Sequence, residues 1–133
     1  ACIVNNENRI LSVGYNGFPA GCDDEVFPWD RSADDAYDTK YLYVCHAELN
    51  AILNCRGRSL AGSRIYVALF PCNECAKAII QCGIKEVVYL SDKYKDTVGV
   101  RASKRMFDSA GVKYTAITLD HDEIKLDFRA ENI

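Results

Sequence analysis

The chain has 133 residues, 49% of them apolar, and a formal net charge of −3 at pH 7. That length and apolar content suit one domain spanning 1–133 with a real core, and they exclude a disordered chain. The acidic balance argues against nucleic acid as a partner, since duplex- and tRNA-binding surfaces are ordinarily basic, and no apolar run approaches the roughly 18–20 residues of a membrane span.

The chain opens on Ala1-Cys2-Ile3-Val4, with no initiator Met and no lead-in. This reads as a start inside a strand, with an upstream segment missing. Residues 1–4 and 10–15 are apolar β-type runs divided by Asn5-Asn6-Glu7-Asn8-Arg9, which predicts a hairpin. The Gly-rich stretch 14–21 cannot continue a strand and reads as a loop. Residues 22–44 are acidic and irregular, a long excursion of the kind that is often functional. Apolar positions 47, 51, 52 and 55 have helical spacing, and Gly57 is expected to end that helix. A β run at 63–70 is followed by a helix over 72–82, stopped by Gly83. A buried strand at 86–90 precedes a helix over 98–110, which Gly111 ends; a strand is predicted over 114–119. The charged segment 122–133 shows a weak alternation in Ile124, Leu126 and Phe128. A hairpin followed by alternating helices and strands implies an α/β fold with a mainly parallel sheet.

His46-Ala47-Glu48 and Pro71-Cys72-Asn73-Glu74-Cys75 carry the chemistry. One imidazole and two thiolates can hold zinc by three protein ligands and leave a fourth position for water. Both groups fall where a predicted helix begins, and a helix N-terminus favours thiolate. The intervening β run returns the chain to the same sheet edge, where open α/β sheets place their sites. Zinc held this way polarises water toward hydroxide, which can attack an electrophilic ring carbon bearing an amino group. Glu48 is free to carry the protons. Cys45 and Cys22 are possible fourth ligands, which would make the zinc structural. There are seven cysteines. Their spacing fits metal binding plus reduced thiols, which points to a reducing cytosol and a cytoplasmic protein. Cys2, Cys55 and Cys82 read as small core residues.

His-x-Glu followed by Pro-Cys-x-x-Cys is the signature of zinc-dependent nucleobase deaminases. With it stand Gly14-Tyr15-Asn16-Gly17-Phe18-Pro19, Cys45 to Ile52, Tyr66 to Lys77, and Ser91-Asp92-Lys93-Tyr94. On these segments the chain resembles the deoxycytidylate (dCMP) deaminases of the cytidine/deoxycytidylate deaminase family over nearly its whole length. The zinc motif is common to all cytidine-deaminase-like enzymes; the first and last segments favour the dCMP branch. The resemblance implies a cytidine-deaminase-like three-layer sandwich, with a mixed five-stranded sheet covered by helices and an N-terminal helix missing here. It implies zinc (Zn2+) on His46, Cys72 and Cys75, Glu48 as proton shuttle, and conversion of dCMP to dUMP and ammonia for thymidylate synthesis. It also implies a homo-oligomer, often a hexamer, activated by dCTP and inhibited by dTTP.

Among the remaining residues, Asn16 matches an Asn with which related deaminases bind the nucleoside, and Ala47 is a further substrate contact. Gly14 and Gly17 would let backbone approach a ligand closely. The same loop, through Asn16 and Gly17, is a candidate for the nucleotide effector; the competing reading of Asn16 is an ordinary turn residue. Lys93 and Tyr94 follow a strand at the zinc-bearing sheet edge and are first candidates for the 5′-phosphate or for stacking on the base, against a solvated charged loop. Lys40, Tyr41 and Arg31 are weaker phosphate candidates. Trp29, with Phe27 and Pro28, is a subunit contact or a loop anchor, and His121 carries no role. The alternatives are a deaminase of the same fold acting on cytidine, cytosine, guanine or tRNA adenosine, or a non-catalytic zinc module that senses nucleotides. The latter has no need of Glu48.

Overall fold

The structure, a computed structural model, describes residues 1–132. Strand β1 (Cys2–Val4) turns into β2 (Ile10–Val13), and an excursion with two short 3-10 turns leads to helix α1 (Ala47–Asn54). Then follow β3 (Arg64–Leu69), α2 (Asn73–Gln81), β4 (Glu86–Ser91), α3 (Val98–Ala110) and β5 (Lys113–Ala116). The five strands form one mixed sheet in the order β2-β1-β3-β4-β5. β1 is antiparallel to both neighbours, while β3, β4 and β5 run parallel through the two helical crossovers. This is the mixed five-stranded sheet that the family resemblance implies; the mainly parallel arrangement read from the alternation holds only for β3, β4 and β5.

The apolar alternation of each strand decides which face is buried. Register aligns Ile3, Ile65, Val87 and Tyr114 in one row across the sheet. That row packs with Ala51 of α1, Ala76 and Ile79 of α2, and Val100 and Phe107 of α3 in a single core. The three helices therefore share one face of the sheet. Cys2 pairs with Val13 and Tyr66, one residue out of phase with Ile3. It lies on the other face and is half-buried, so it is not the core residue its apolar neighbours suggest. Cys55 and Cys82 do pack against the core. All seven cysteines are free thiols.

The helix ends follow from local chemistry. Thr97 caps α3 by accepting from the Val100 N–H at 3.4 Å, and Gly111 closes it in the left-handed conformation at φ 69°. α1 stops at Cys55, before Gly57, which turns the chain two residues later at φ 73°. β5 is shorter than its apolar run. Ile117 donates one more bond to the Tyr89 carbonyl at 2.8 Å, and the chain then leaves the sheet. Beyond it, Ile124, Leu126 and Phe128 are 84%, 70% and 83% exposed and form no strand. Their alternation has no apolar face to bury against. No helix among the described residues is long and apolar enough to cross a membrane.

Candidate active site

α1 and α2 begin side by side, and their first residues make the site. His46 is the N-cap of α1 and Cys72 the N-cap of α2, both in extended backbone, with Cys75 buried in the first turn of α2. The sulfurs of Cys72 and Cys75 lie 3.4 and 3.6 Å from His46 Nδ1. In a tetrahedral zinc site, with Zn–N near 2.0 Å and Zn–S near 2.3 Å, neighbouring donors stand roughly 3.5–3.8 Å apart. The three side chains therefore fit one ion. All three donor atoms lie within 4.8 Å of one another, and no further His, Cys, Asp or Glu among the described residues joins them. Cys22 and Cys45 are outside the group. Cys45 is held elsewhere by its backbone, which exchanges both hydrogen bonds with Gly17, at 2.8 and 3.2 Å.

The electrostatics suit a cation. A hydrogen bond from the Cys75 thiol, helped by His46, brings the Cys72 thiol down to about 3, while the Cys75 thiol is pushed up as the partner that keeps the proton. The bond to Cys72 raises the His46 imidazole, and burial raises the Glu48 carboxyl. A dication in this group would displace the shared proton and gain a second thiolate.

These residues open on a cavity of about 590 Å³, which His46, Ala47, Glu48, Cys72 and Asn16 all line. Val67, Ala68, Leu69 and Phe70, at the end of β3, line it with apolar surface. Asn16 is more than a turn residue, because its Oδ1 accepts the Ala47 N–H at 2.9 Å. This bond uses the amide oxygen and leaves out its two N–H donors. The Ala47 N–H is thereby committed and is not free to contact a ligand. Asn50 donates to the Tyr15 carbonyl at 2.8 Å and Asn54 to that of Val13 at 3.0 Å, stitching α1 to the loop. The close approach at Gly14 is made to this helix: an added Cβ would sit 2.2 Å from Ala51 N. Around Gly17 there is open space, and its backbone is the one paired with Cys45.

Tyr94 lines the cavity, but Lys93 does not; its ammonium lies 5.0 Å from the Tyr94 ring centroid. Arg31, Lys40 and Tyr41 also line it. Trp29 anchors its loop, with its ring 4.5 Å from that of Phe18. Thr97 and Val100, at the start of α3, complete the wall. Sequence reading passed over both. Thr97 is legible as a helix cap, but nothing in its spacing says that α3 begins beside α1 and α2.

The family described as the cytidine and deoxycytidylate deaminase zinc-binding region matches residues 1–91. The deoxycytidylate deaminases of Mus musculus and Homo sapiens are each 54% identical over 132 residues, covering 99% of this chain and 74% of theirs. This chain belongs to the cytidine and deoxycytidylate deaminase family. The dCMP deaminase of cyanophage S-TIM5, solved in complex with dCMP and dUMP, superposes with a TM-score of 0.64 at 28% identity, covering 87% of this chain and 78% of the phage chain. The stretch matched by the deaminase family contains His46, Glu48, Cys72, Cys75 and the Asn16 loop.

Proposed function

We propose that this chain is a zinc-dependent deoxycytidylate deaminase, which converts dCMP and water to dUMP and ammonia. The observation that carries the reading is one cavity lined by the Glu48 carboxyl and by His46 and Cys72 of a three-donor metal group, in a chain 54% identical to curated deoxycytidylate deaminases. His46, Cys72 and Cys75 are the residues that would hold zinc. The chemistry that ion would supply is a water of lowered pKa. Glu48 would take a proton from the water that attacks C4 and pass it to the ring nitrogen beside C4. With the oxygen bonded to C4, Glu48 would then carry the remaining hydroxyl proton to the amino group as the C4–N bond breaks, so that ammonia leaves and the water oxygen remains as the C4 carbonyl. Burial raises the Glu48 carboxyl and so suits it both to accept and to return a proton. The amide of Asn16 is a donor for the nucleoside, and Tyr94 and the methyl of Ala47 shape the wall.

The reading extends to dUMP supply for thymidylate synthesis in the cytoplasm, by a homo-oligomer regulated by dCTP and dTTP. Regulation through the Asn16–Gly17 loop is favoured by the bond that joins Asn16 to the first turn of α1. The test is ammonia release by zinc-loaded protein with dCMP, deoxycytidine, cytosine and dCTP, each with and without a chelator. dCMP should be the best substrate and the chelator should abolish turnover. Absence of dCMP turnover by the loaded protein would overturn the reading.

A further inference from the structure

We infer that Asp92 and Lys104 are a positioning pair for the candidate active site, which fixes the loop between β4 and α3 as one wall of the cavity. Neither residue lines the cavity itself. The inference rests on the deaminase reading above and names residues that act on that site from behind its wall.

The loop leaves β4 at Ser91 and enters α3 at Val98, and its Tyr94 and Thr97 line the cavity. Its own shape comes from local bonds. Lys95 N–H donates to the Asp92 carbonyl at 3.0 Å. The Thr97 N–H and hydroxyl both donate to the Tyr94 carbonyl, at 3.0 and 2.8 Å, and Thr97 Oγ1 accepts the Val100 N–H. Placement of that shape against the fold comes from Asp92, whose Oδ2 lies 2.5 Å from Lys104 Nζ. Lys104 stands about two turns along α3 from the Thr97 cap. The start of the loop is thus tied to the middle of the helix that its end begins, and loop and helix close into one unit.

The same ammonium reaches the wall on the metal side. It lies 5.1 Å from the centre of the Phe70 ring, and Phe70 lines the cavity just before Pro71 and Cys72. Phe70 N–H donates to the Ser91 carbonyl at 2.9 Å, directly before Asp92. Edge contacts with Tyr89 and Tyr114, at 4.9 and 5.4 Å, hold the ring. Lys104 therefore joins the end of β3, which leads into the metal group, to the loop that carries Tyr94. The side chains of Lys104 and Asp92 are only 29% and 19% exposed. Charges buried to that degree lose hydration, so the pair adds little net stability over an apolar replacement. It does supply direction. Asp92 Oδ1 is buried without a partner among the described residues, so the orientation of the carboxylate rests on the Oδ2 contact with Lys104.

A wall displaced by about an ångström can cost a hundredfold in reaction with a bound substrate. We would compare the zinc-loaded parent with Lys104→Met, Lys104→Arg and the double variant Asp92→Asn/Lys104→Met, measuring KM and kcat for dCMP, zinc content, and dUMP affinity by calorimetry. The double variant leaves no uncompensated carboxylate, which keeps the test independent of folding. In Lys104→Met and in the double variant, KM should rise about tenfold to a hundredfold. dUMP affinity should fall in parallel, with zinc content unchanged and kcat nearly so, as a loss of uniform binding requires. Lys104→Arg should recover most of the loss. In a Tyr94→Ala background the same double substitution should add little to KM, because the pair acts through the loop. A folded double variant with the parent's KM and dUMP affinity, or an undiminished effect in the Tyr94→Ala background, would overturn the inference. A parent whose dUMP affinity depends on the pair but which does not turn over dCMP would instead strike the deaminase reading alone.

Discussion

Gly14 shows how strictly a single residue can be determined. Its missing Cβ would lie 2.2 Å from Ala51 N and 2.4 Å from Ala47 O, both backbone atoms of α1 that have no room to yield. Gly14→Ala is expected to destabilise the fold by about 3 kcal/mol and to loosen Asn16 from Ala47. Urea unfolding measures the first effect, and a raised KM for dCMP the second. The presence of a special glycine was legible in the sequence, but its reason was not. A glycine-rich loop suggests close approach to a ligand, whereas the partner here is a helix many residues away. For Glu48 the sequence spoke more directly, because a carboxylate two residues from a metal-ligand His has few other uses. Glu48→Gln keeps the side chain's size and removes its proton. We expect zinc content to be unchanged and kcat to fall roughly 10²–10⁴-fold; retention of a third of the parent rate would refute the role.

Elements were legible where local chemistry is self-contained. α3 has a threonine cap and a left-handed glycine, and its ends fall where the sequence puts them. The tail, for which the weak alternation of Ile124, Leu126 and Phe128 predicted no element, forms no strand, because alternation alone cannot make one without a surface to cover. Between β4 and α3, the loop that carries Tyr94 and Thr97 is pinned by an ion pair that no spacing reveals. Lys104 Nζ of α3 lies 2.5 Å from Asp92 Oδ2 and 5.1 Å from the centre of the Phe70 ring. The other oxygen of Asp92 is buried without a partner among the described residues, so loss of Lys104 leaves the carboxylate uncompensated by any of them. The bond to Asp92 raises the Lys104 ammonium above its usual range. A raised value in the folded chain means that the contribution is complete below the ordinary lysine pKa of about 10.4 and is lost as pH rises through the folded one. Lys104→Met should therefore cost about 1–3 kcal/mol at pH 7, and the gap from the parent should narrow above roughly pH 10.5. Denaturant titrations at pH 7 and pH 11 test this; an unchanged gap would exclude the ion pair as its source.

At the scale of the molecule, the alternation of helices and strands and the convergence of two helix N-termini were readable from hydrophobic periodicity and from the separation of the His and Cys motifs, whereas the strand order was not. The side of the cavity formed by the 18–44 excursion was not, because its shape depends on ring packing and on backbone bonds between irregular segments. That arrangement also decides how the zinc site relates to stability. His46 and Cys72 stand 26 residues apart and belong to different parts of the topology. His46 follows the antiparallel β1–β2 hairpin, whereas Cys72 and Cys75 open the first crossover of the parallel β3–β4–β5 unit. Zinc shared by them would act as a tether between two stretches that no disulfide joins. Its donors meet only in the folded chain, so folding free energy should increase by about 1.4 kcal/mol for each tenfold rise in free zinc above the dissociation constant. Hydrogen exchange of the metal-free protein should then quicken first in α1 and in the hairpin that it covers. The same ion that prepares water for reaction would thus set how long the two halves of the sheet stay closed.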